Sequence, residues 1–530
     1  MGRRRICWQA ILRGAVLMVA AVGAVHAPAQ GQNAPPVARD DPQRPPITRD
    51  NIRALRTRVE AILADAKAER GHWGVLVVDA STGQAVYALN EGRYFTPASN
   101  TKLYTTALAL ATLGPEHRFR TTIETRGRID AHGRLIGDLI LVGRGDPNLS
   151  NRVLPYDKDK ERDGPPEKIL ALLADSVASR GLKQIEGDII GDDSYYPLER
   201  YPGGWAISDM TSGFGAPVSA LTASDNALFI EVRPGEREGE PAWFQAEPLA
   251  EFYEFRNELR TGPAGSQARV RVERDPGSRQ VTLRGNVPLG RRPQPVTLAV
   301  EEPAEYWAAV FKRLLIERGV RVHGQARARH RERGQPPPAE EDGSDVLAEF
   351  VSAPLIEDVR VVNKISQNLH AELLLRAVSH AKTEEGVTAS GIRFAEEFWK
   401  EMGMPQGDVA LYDGSGLSRR SLITPRGTVH LLQWAAVQPW AAAYESTLPV
   451  AGVDGTLSER MRGTPAEGRV RAKTGSLANT NALSGYAETV AGARVVFSIF
   501  GNSHNLLGRD ATAIIDAICV AMVEELGRRR

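Results

Sequence analysis

The strongest constraint on the fold is a change of texture partway along the chain. Up to about Arg120, and again after Asp345, helical and strand patterns alternate. Between them, short β-rich runs alternate with Gly-Asp turns: "GRLIGDLILVG", "QIEGDIIGDD", "NALFIEVRPG", "ARVRVERD" and "QVTLRGNV". An α/β region, then a β-rich block, then more α/β reads as one domain interrupted by an insertion. The first two runs echo each other weakly but with no regular period, so the block is not a solenoid. With 530 residues, 42% of them hydrophobic, the chain can bury more than one core. A net charge of +1 gives no nucleic-acid surface, and two cysteines rule out a disulfide framework.

Residues 1–29 read as a secretory signal peptide. Arg3, Arg4 and Arg5 precede the apolar run Gly14 to Val25, and small residues follow at Ala27 and Ala29. The run is too short and too rich in Ala and Gly for a comfortable membrane span, the competing reading being an N-terminal anchor. Cleavage would leave Cys519 alone, a packing residue in the apolar periodicity of the last helix. Residues 30–47 are polar and Pro-rich, a flexible leader.

Asp50 is expected to cap a helix running to about Arg70, with Leu55, Val59, Ile62, Leu63 and Ala66 on one face. "WGVLVVDA" and "QAVYALN" read as strands joined at Ser81 to Gly83. The next helix buries Leu103, Ala107, Leu110, Ala111 and Leu113, and stops at Gly114-Pro115. Tyr156 to Lys168 and Arg331 to Asp345 read as exposed loops, and the Arg-rich "ARARHRERG" as a solvated strand or loop face. Helices are predicted from Ile365 to about His380, Gly391 to Met402, Arg426 to Gln438 and Gly508 to Gly527. "GRVRAKTG", "NALSGYAETV" and "ARVVFSIFGN" are predicted strands.

Three short elements carry chemistry. Ser99-Asn-Thr-Lys102 puts a hydroxyl and an amine on one face at a helix N-terminus, whose free N–H groups and dipole suit a developing oxyanion. Alone, Ser99 would be read as an N-cap and Lys102 as a surface residue. Ser366-Gln367-Asn368 lies where a loop meets a helix; Ser366 could pass a proton and the Asn368 amide could bind a carbonyl. Lys473-Thr474-Gly475 ends a strand, where a cation and a hydroxyl can hold a carboxylate, and Gly475 lets a substrate lie against the strand edge. In the order S-x-x-K, S-x-N, K-T-G these form the signature of penicillin-recognising serine enzymes. The long gap between the first two elements holds the β-rich block.

On these motifs the chain resembles the class C low-molecular-mass penicillin-binding proteins. These are D-alanyl-D-alanine carboxypeptidases/endopeptidases of the DacB type, peptidase family S13. The likeness extends through "GDLILVGRGDPNL", "GWAISDMTSGFGAPVSALTASDN", "NKISQNLHAELLLR", "DGSGLSR" and "LPVAGVDGTLSERMRGTPAEGRVRAKTGSL". One departure is Gln367, where relatives often carry Asp. The resemblance implies an α/β (α+β) fold: a β-lactamase/transpeptidase-like domain, an antiparallel sheet flanked by helices, over 48–125 and 346–530. The large β-rich insertion covers 126–345.

The resemblance also implies roles. Ser99 attacks the carbonyl between two terminal D-alanines and forms an acyl-enzyme; Lys102 takes its proton; Ser366 relays a proton to the leaving nitrogen. Lys473 would lower the proton affinity of Lys102 by like-charge repulsion, with burial adding to it. Asn368, Lys473, Thr474 and Gly475 bind the peptide, and the N–H groups of Ser99 and Ser476 form the oxyanion hole. Asp209 meets the side chain of the third stem-peptide residue, the competing reading being an exposed turn aspartate. Asp413 and Ser415 shape a loop near the site. No metal or cofactor is required, since the ten histidines show no HExxH-like spacing. The expected partners are peptidoglycan peptides ending in D-Ala-D-Ala or carrying D-Ala cross-links, with β-lactams as covalent inhibitors, no nucleic acid, and only peripheral contact with a membrane. The expected location is the periplasm. Two readings compete: a serine β-lactamase, for which no deacylating carboxylate is identifiable, and a peptidoglycan-binding protein with a dead site, which the complete motif set opposes.

Overall fold

Strands from both ends of the chain share one sheet. In the computed structural model, whose described residues are 46–65, 67–336 and 344–528, that sheet has five strands. Their order is Ala85–Leu89, His72–Asp79, Arg494–Asn502, Thr480–Glu488, Val470–Leu477, and every neighbouring pair is antiparallel. Alternate residues point to opposite faces. Leu483, Val495, Phe497 and Ile499 pack with Leu55, Val59, Ile515, Ile518 and Cys519 of the first and last helices, Arg49–Leu63 and Gly508–Glu525. Ala482, Tyr486, Val496 and Phe500 face the other way, onto Leu103, Leu374, Leu375, Leu431 and Leu432. These belong to helices Thr101–Leu113, Asn368–Thr383 and Pro425–Ala435. The predicted architecture, an antiparallel sheet flanked by helices, is the observed one. Cys519 is a buried free thiol, as its place in the last helix implied.

The block that interrupts this domain has its own core. Its largest sheet runs Ala326–Arg331, Ile189–Pro197, Leu139–Val142, Arg120–Thr125, Asp345–Val351. Arg120–Thr125 and Asp345–Val351 pair antiparallel, so the chain enters and leaves the block side by side. Two smaller three-stranded sheets adjoin it. Two helices in the block, Lys168–Ser179 and Pro303–Glu317, are not foreseen by its β-rich texture; Leu170, Leu173, Val177, Trp307, Phe311 and Leu315 sink into its core.

Several local expectations are corrected. Thr48, not Asp50, caps the first helix: its side chain accepts from the Asn51 N–H while the Asn51 side chain accepts from the Thr48 N–H, a reciprocal box. That helix ends at Leu63, well short of Arg70. Thr101–Leu113 is buried on all sides from Thr101 to Leu110, whereas Ala111 is exposed. The helix predicted from Ile365 begins at Asn368, and a separate helix, Leu355–Lys364, precedes it. The Arg-rich run forms strand Ala326–Arg331, with Arg331 buried at its end and donating to the Ser194 and Tyr195 carbonyls. The signal peptide (1–29), the leader up to residue 45, Ala66, and positions 337–343 of the second exposed loop lie outside the described residues.

Candidate active site

A single turn of 3-10 helix, Ala98–Asn100, runs into the helix Thr101–Leu113. Neither Pro97 nor Asn100 caps it with a side chain, and Ser99 sits inside the turn, which removes the N-cap reading of Ser99. Ala98 adopts φ 47°, and Gly416 packs so closely that a Cβ there would lie 1.8 Å from the Ala98 carbonyl oxygen. Ser99 Oγ accepts a hydrogen bond from Lys102 Nζ at 2.9 Å. Lys102 Nζ also donates to Asn368 Oδ1 at 2.6 Å and to the Ser415 carbonyl at 2.7 Å. Burial lowers the Lys102 pKa to about 7, against the opposing pull of the Asp413 and Glu372 carboxylates.

Lys473 is equally buried and donates to Ser366 Oγ at 2.9 Å and to the Thr474 carbonyl at 3.0 Å. Burial first, and the Lys102 charge second, hold its pKa well below the ordinary lysine value. Burial is the largest cause at both lysines, and the like-charge repulsion between them, being mutual, disfavours charging the two together. Ser366 lies between two helices at φ 63°, a left-handed conformation that turns its hydroxyl onto Lys473. Gln367 caps the second helix by accepting the Leu369 N–H at 2.8 Å, which is how this chain accommodates its departure from Asp. Asn368 follows, its Nδ2 donating to the Phe214 carbonyl at 2.8 Å. A carbonyl can only accept, so this bond fixes the amide: Nδ2 faces Phe214 and Oδ1 faces Lys102.

The strand Val470–Leu477 is an edge of the five-stranded sheet, bridged at Arg471 by Val450. Asn100 Nδ2 donates to the Lys473 carbonyl at 3.0 Å, tying this edge to the nucleophile turn. The missing side chain of Gly475 serves that junction: a Cβ there would lie 2.7 Å from the Pro97 carbonyl oxygen. The glycine thus admits the close approach of the Ser99 turn. Thr474 Oγ1 donates to Thr456 Oγ1 at 2.8 Å, and the Ser476 hydroxyl, on an exposed residue, accepts from Asn481 Nδ2.

A cleft of about 370 Å³ gathers Ser99, Asp209, Phe214, Ser366, Asn368 and Ser476, with Lys102 and Lys473 fully buried nearby. A larger cleft, about 750 Å³, lies in the block beside Arg162 and Phe229 and holds none of the motif residues; chemistry, not volume, marks the site. Asp209 is 7% exposed and pairs with Arg419 at 2.8 Å, so it is no exposed turn aspartate. Asp413 accepts from the Gly416 and Ser418 N–H groups and, at 3.0 Å, from Trp205 Nε1 of the block. Sequence reasoning missed Glu372, Phe214, Trp205 and Arg419. Glu372 alone had a legible signal, lying one helical turn beyond Asn368 on the same face.

The family model described as the D-Ala-D-Ala carboxypeptidase 3 (S13) family matches residues 55–523. A D-alanyl-D-alanine carboxypeptidase of Actinomadura sp. (strain R39) is 35% identical over 486 residues, 90% of this chain and 85% of that one. The D-alanyl-D-alanine carboxypeptidase DacB of Haemophilus influenzae is 26% identical, over 82% of this chain and 86% of its own. The crystal structure of penicillin binding protein 4 (dacB) from Haemophilus influenzae superposes with a TM-score of 0.74 at 25% identity, covering 87% of this chain and 97% of that one. A match that spans the nucleophile turn, the asparagine helix and the lysine edge strand together places the chain in the D-Ala-D-Ala carboxypeptidase 3 (S13) family of serine peptidases.

Proposed function

We propose that Ser99 is the nucleophile and Lys102 its base, and that the enzyme cleaves the bond before the terminal D-alanine of peptidoglycan stem peptides. The observation that carries this is the coordination of Lys102 Nζ. Two of its three contacts, Asn368 Oδ1 and the Ser415 carbonyl, can only accept. A neutral amine has two N–H groups and one lone pair. With both N–H groups committed to these oxygens, the lone pair is left facing Ser99 Oγ, 2.9 Å away. A pKa near 7 makes the neutral form available at neutral pH.

In acylation, Ser99 Oγ bonds to the carbonyl carbon and its proton passes to Lys102. The Ser99 and Ser476 N–H groups stabilise the oxyanion. The C–N bond breaks, the leaving nitrogen takes a proton through Ser366, and D-alanine departs. Lys473 holds Ser366 by hydrogen bond, and with Thr474 supplies the pole for the terminal carboxylate. Water then hydrolyses the ester. The same attack on a D-Ala cross-link is DD-endopeptidase cleavage, and attack on a β-lactam ring leaves the drug on Ser99. Asp209, on the cleft wall, is placed to meet the third stem residue by exchanging its Arg419 partner.

Residues 48–125 and 346–530 form the catalytic domain in this reading, and 126–345 an insertion that supplies Asp209 and Phe214 to the cleft. The signal pattern at 1–29 directs the enzyme to the cell envelope, the periplasm. No helix among the described residues is long and apolar enough to cross a membrane.

The test is covalent labelling by a fluorescent penicillin, together with digestion of defined muropeptides followed by mass spectrometry. Native enzyme should be labelled and release single alanines; Ser99→Ala should do neither. A Ser99→Ala variant that still labels overturns the assignment. Splitting of cross-linked dimers would show the endopeptidase activity, and intact dimers would limit the enzyme to carboxypeptidase cleavage.

A further inference from the structure

We infer that Glu372 is a positioning residue for the acylation step, its carboxylate hanging the Ser415 carbonyl on Lys102 and its charge acting on the Lys102 ammonium. The inference rests on Lys102 being the base. Glu372 is fully buried on the helix Asn368–Thr383, one turn after Asn368. Among the described residues no cation reaches it within salt-bridge distance. It accepts backbone N–H groups instead: Gly414 at 3.0 Å to both oxygens and Ser415 at 2.8 Å to Oε1. Withdrawing a carboxylate from water costs several kcal/mol, which loop anchoring alone does not require, since a neutral side chain could accept the same N–H groups.

The loop it holds leads straight to the base. Thr105 Oγ1 holds the Gly414 carbonyl at 2.6 Å, and Gly414 packs so tightly on the helix that a Cβ would lie 2.8 Å from the Ala371 carbonyl oxygen. One residue on, the Ser415 carbonyl accepts Lys102 Nζ at 2.7 Å. Glu372 thus anchors the backbone of Ser415 through its N–H, the carbonyl of the same residue meets Lys102, and Asn368 on the same helix supplies the other acceptor. That helix therefore sets both partners that aim the lone pair.

The charges around the chain are few. Glu372 and Asp413 attract the Lys102 proton, and Lys473 faces Lys102 as a like charge. Glu372 in turn faces Asp413 and Arg376; burial and the Asp413 repulsion raise its pKa to about 7. Removing the negative charge while keeping the oxygen should make Lys102 easier to deprotonate. Moving the oxygen while keeping the charge should spoil the aim alone.

The test is the pH profile of acylation by a fluorescent penicillin, with melting temperatures to establish folding. Glu372→Gln keeps one oxygen for both N–H groups. Its acid limb should move down by about one pH unit or more, with the plateau within about tenfold of native. Glu372→Asp draws the oxygens back from Ser415; its limb should stay and its plateau should fall about a hundredfold. A Glu372→Gln limb superimposed on the native one overturns the charge role, and a native-like Glu372→Asp plateau overturns the aiming role. Native protein that is not acylated at all would instead overturn the Ser99–Lys102 assignment.

Discussion

At Lys102 the chemistry depends on a buried amine losing its proton. Replacing it with methionine keeps the bulk and removes the base; acylation should fall by about 10²–10⁴-fold by fluorescent-penicillin labelling, with the fold retained. The stability effect has a sign. The folded-state pKa is near 7 against an ordinary 10.5, so the unfolded chain binds more protons between those values. This group thus makes native stability rise with pH across that window. Denaturation of Lys102→Met and native protein at pH 6, 7.5 and 9 should show the variant losing ground as pH rises; a constant difference would mean that the depression is absent. The motif letters S-x-x-K, S-x-N and K-T-G were legible at this scale because each pairs reactive groups through local or strongly patterned contacts. Arg419 was not, because an isolated charge in a loop carries no sign of what will be folded over it.

Among the elements, periodicity located what it could. The strand that carries Lys473, the two strands after it and the last helix fall where alternation and 3.6-residue spacing put them. Boundaries slipped where a cap or a left-handed residue decides. Thr48 out-competes Asp50 because its side chain reaches the Asn51 N–H, three residues on. Thr48→Ala should lower stability by about 1 kcal/mol in chemical denaturation, and Asp50→Ala by well under half of that. The helix expected from Ile365 starts three residues later, at Asn368, since nothing local foretells φ 63° at Ser366. The helices Lys168–Ser179 and Pro303–Glu317 have the right spacing but stand among strand-like runs, whose texture masked them.

For the molecule as a whole, the block and the catalytic sheet depend on each other. Asp225, at φ 55° in the block, is buried among Arg152, Arg162 and His370, and His370 sits two residues beyond Asn368. The two guanidinium groups outweigh burial and hold the Asp225 pKa well below 3.8. Asp225→Asn would strand two buried arginines and should cost about 3–5 kcal/mol by denaturation at pH 7. The depressed group contributes fully above about pH 4, and its contribution fades as acid protonates it, so the difference between variant and native should shrink below that pH.

By itself the sequence determined the family resemblance, the alternation of domain and block, and the order of the three motifs, because these depend on residue type and spacing along the chain. Only the tertiary structure decided which way the groups face. The Phe214 carbonyl, supplied from the block, turns Asn368 so that its oxygen meets Lys102, and the Ser415 carbonyl takes the second N–H. The lone pair left for Ser99 results from acceptors brought in from distant parts of the chain. Such a geometry is set by packing and by the directionality of hydrogen bonds, neither of which spacing encodes.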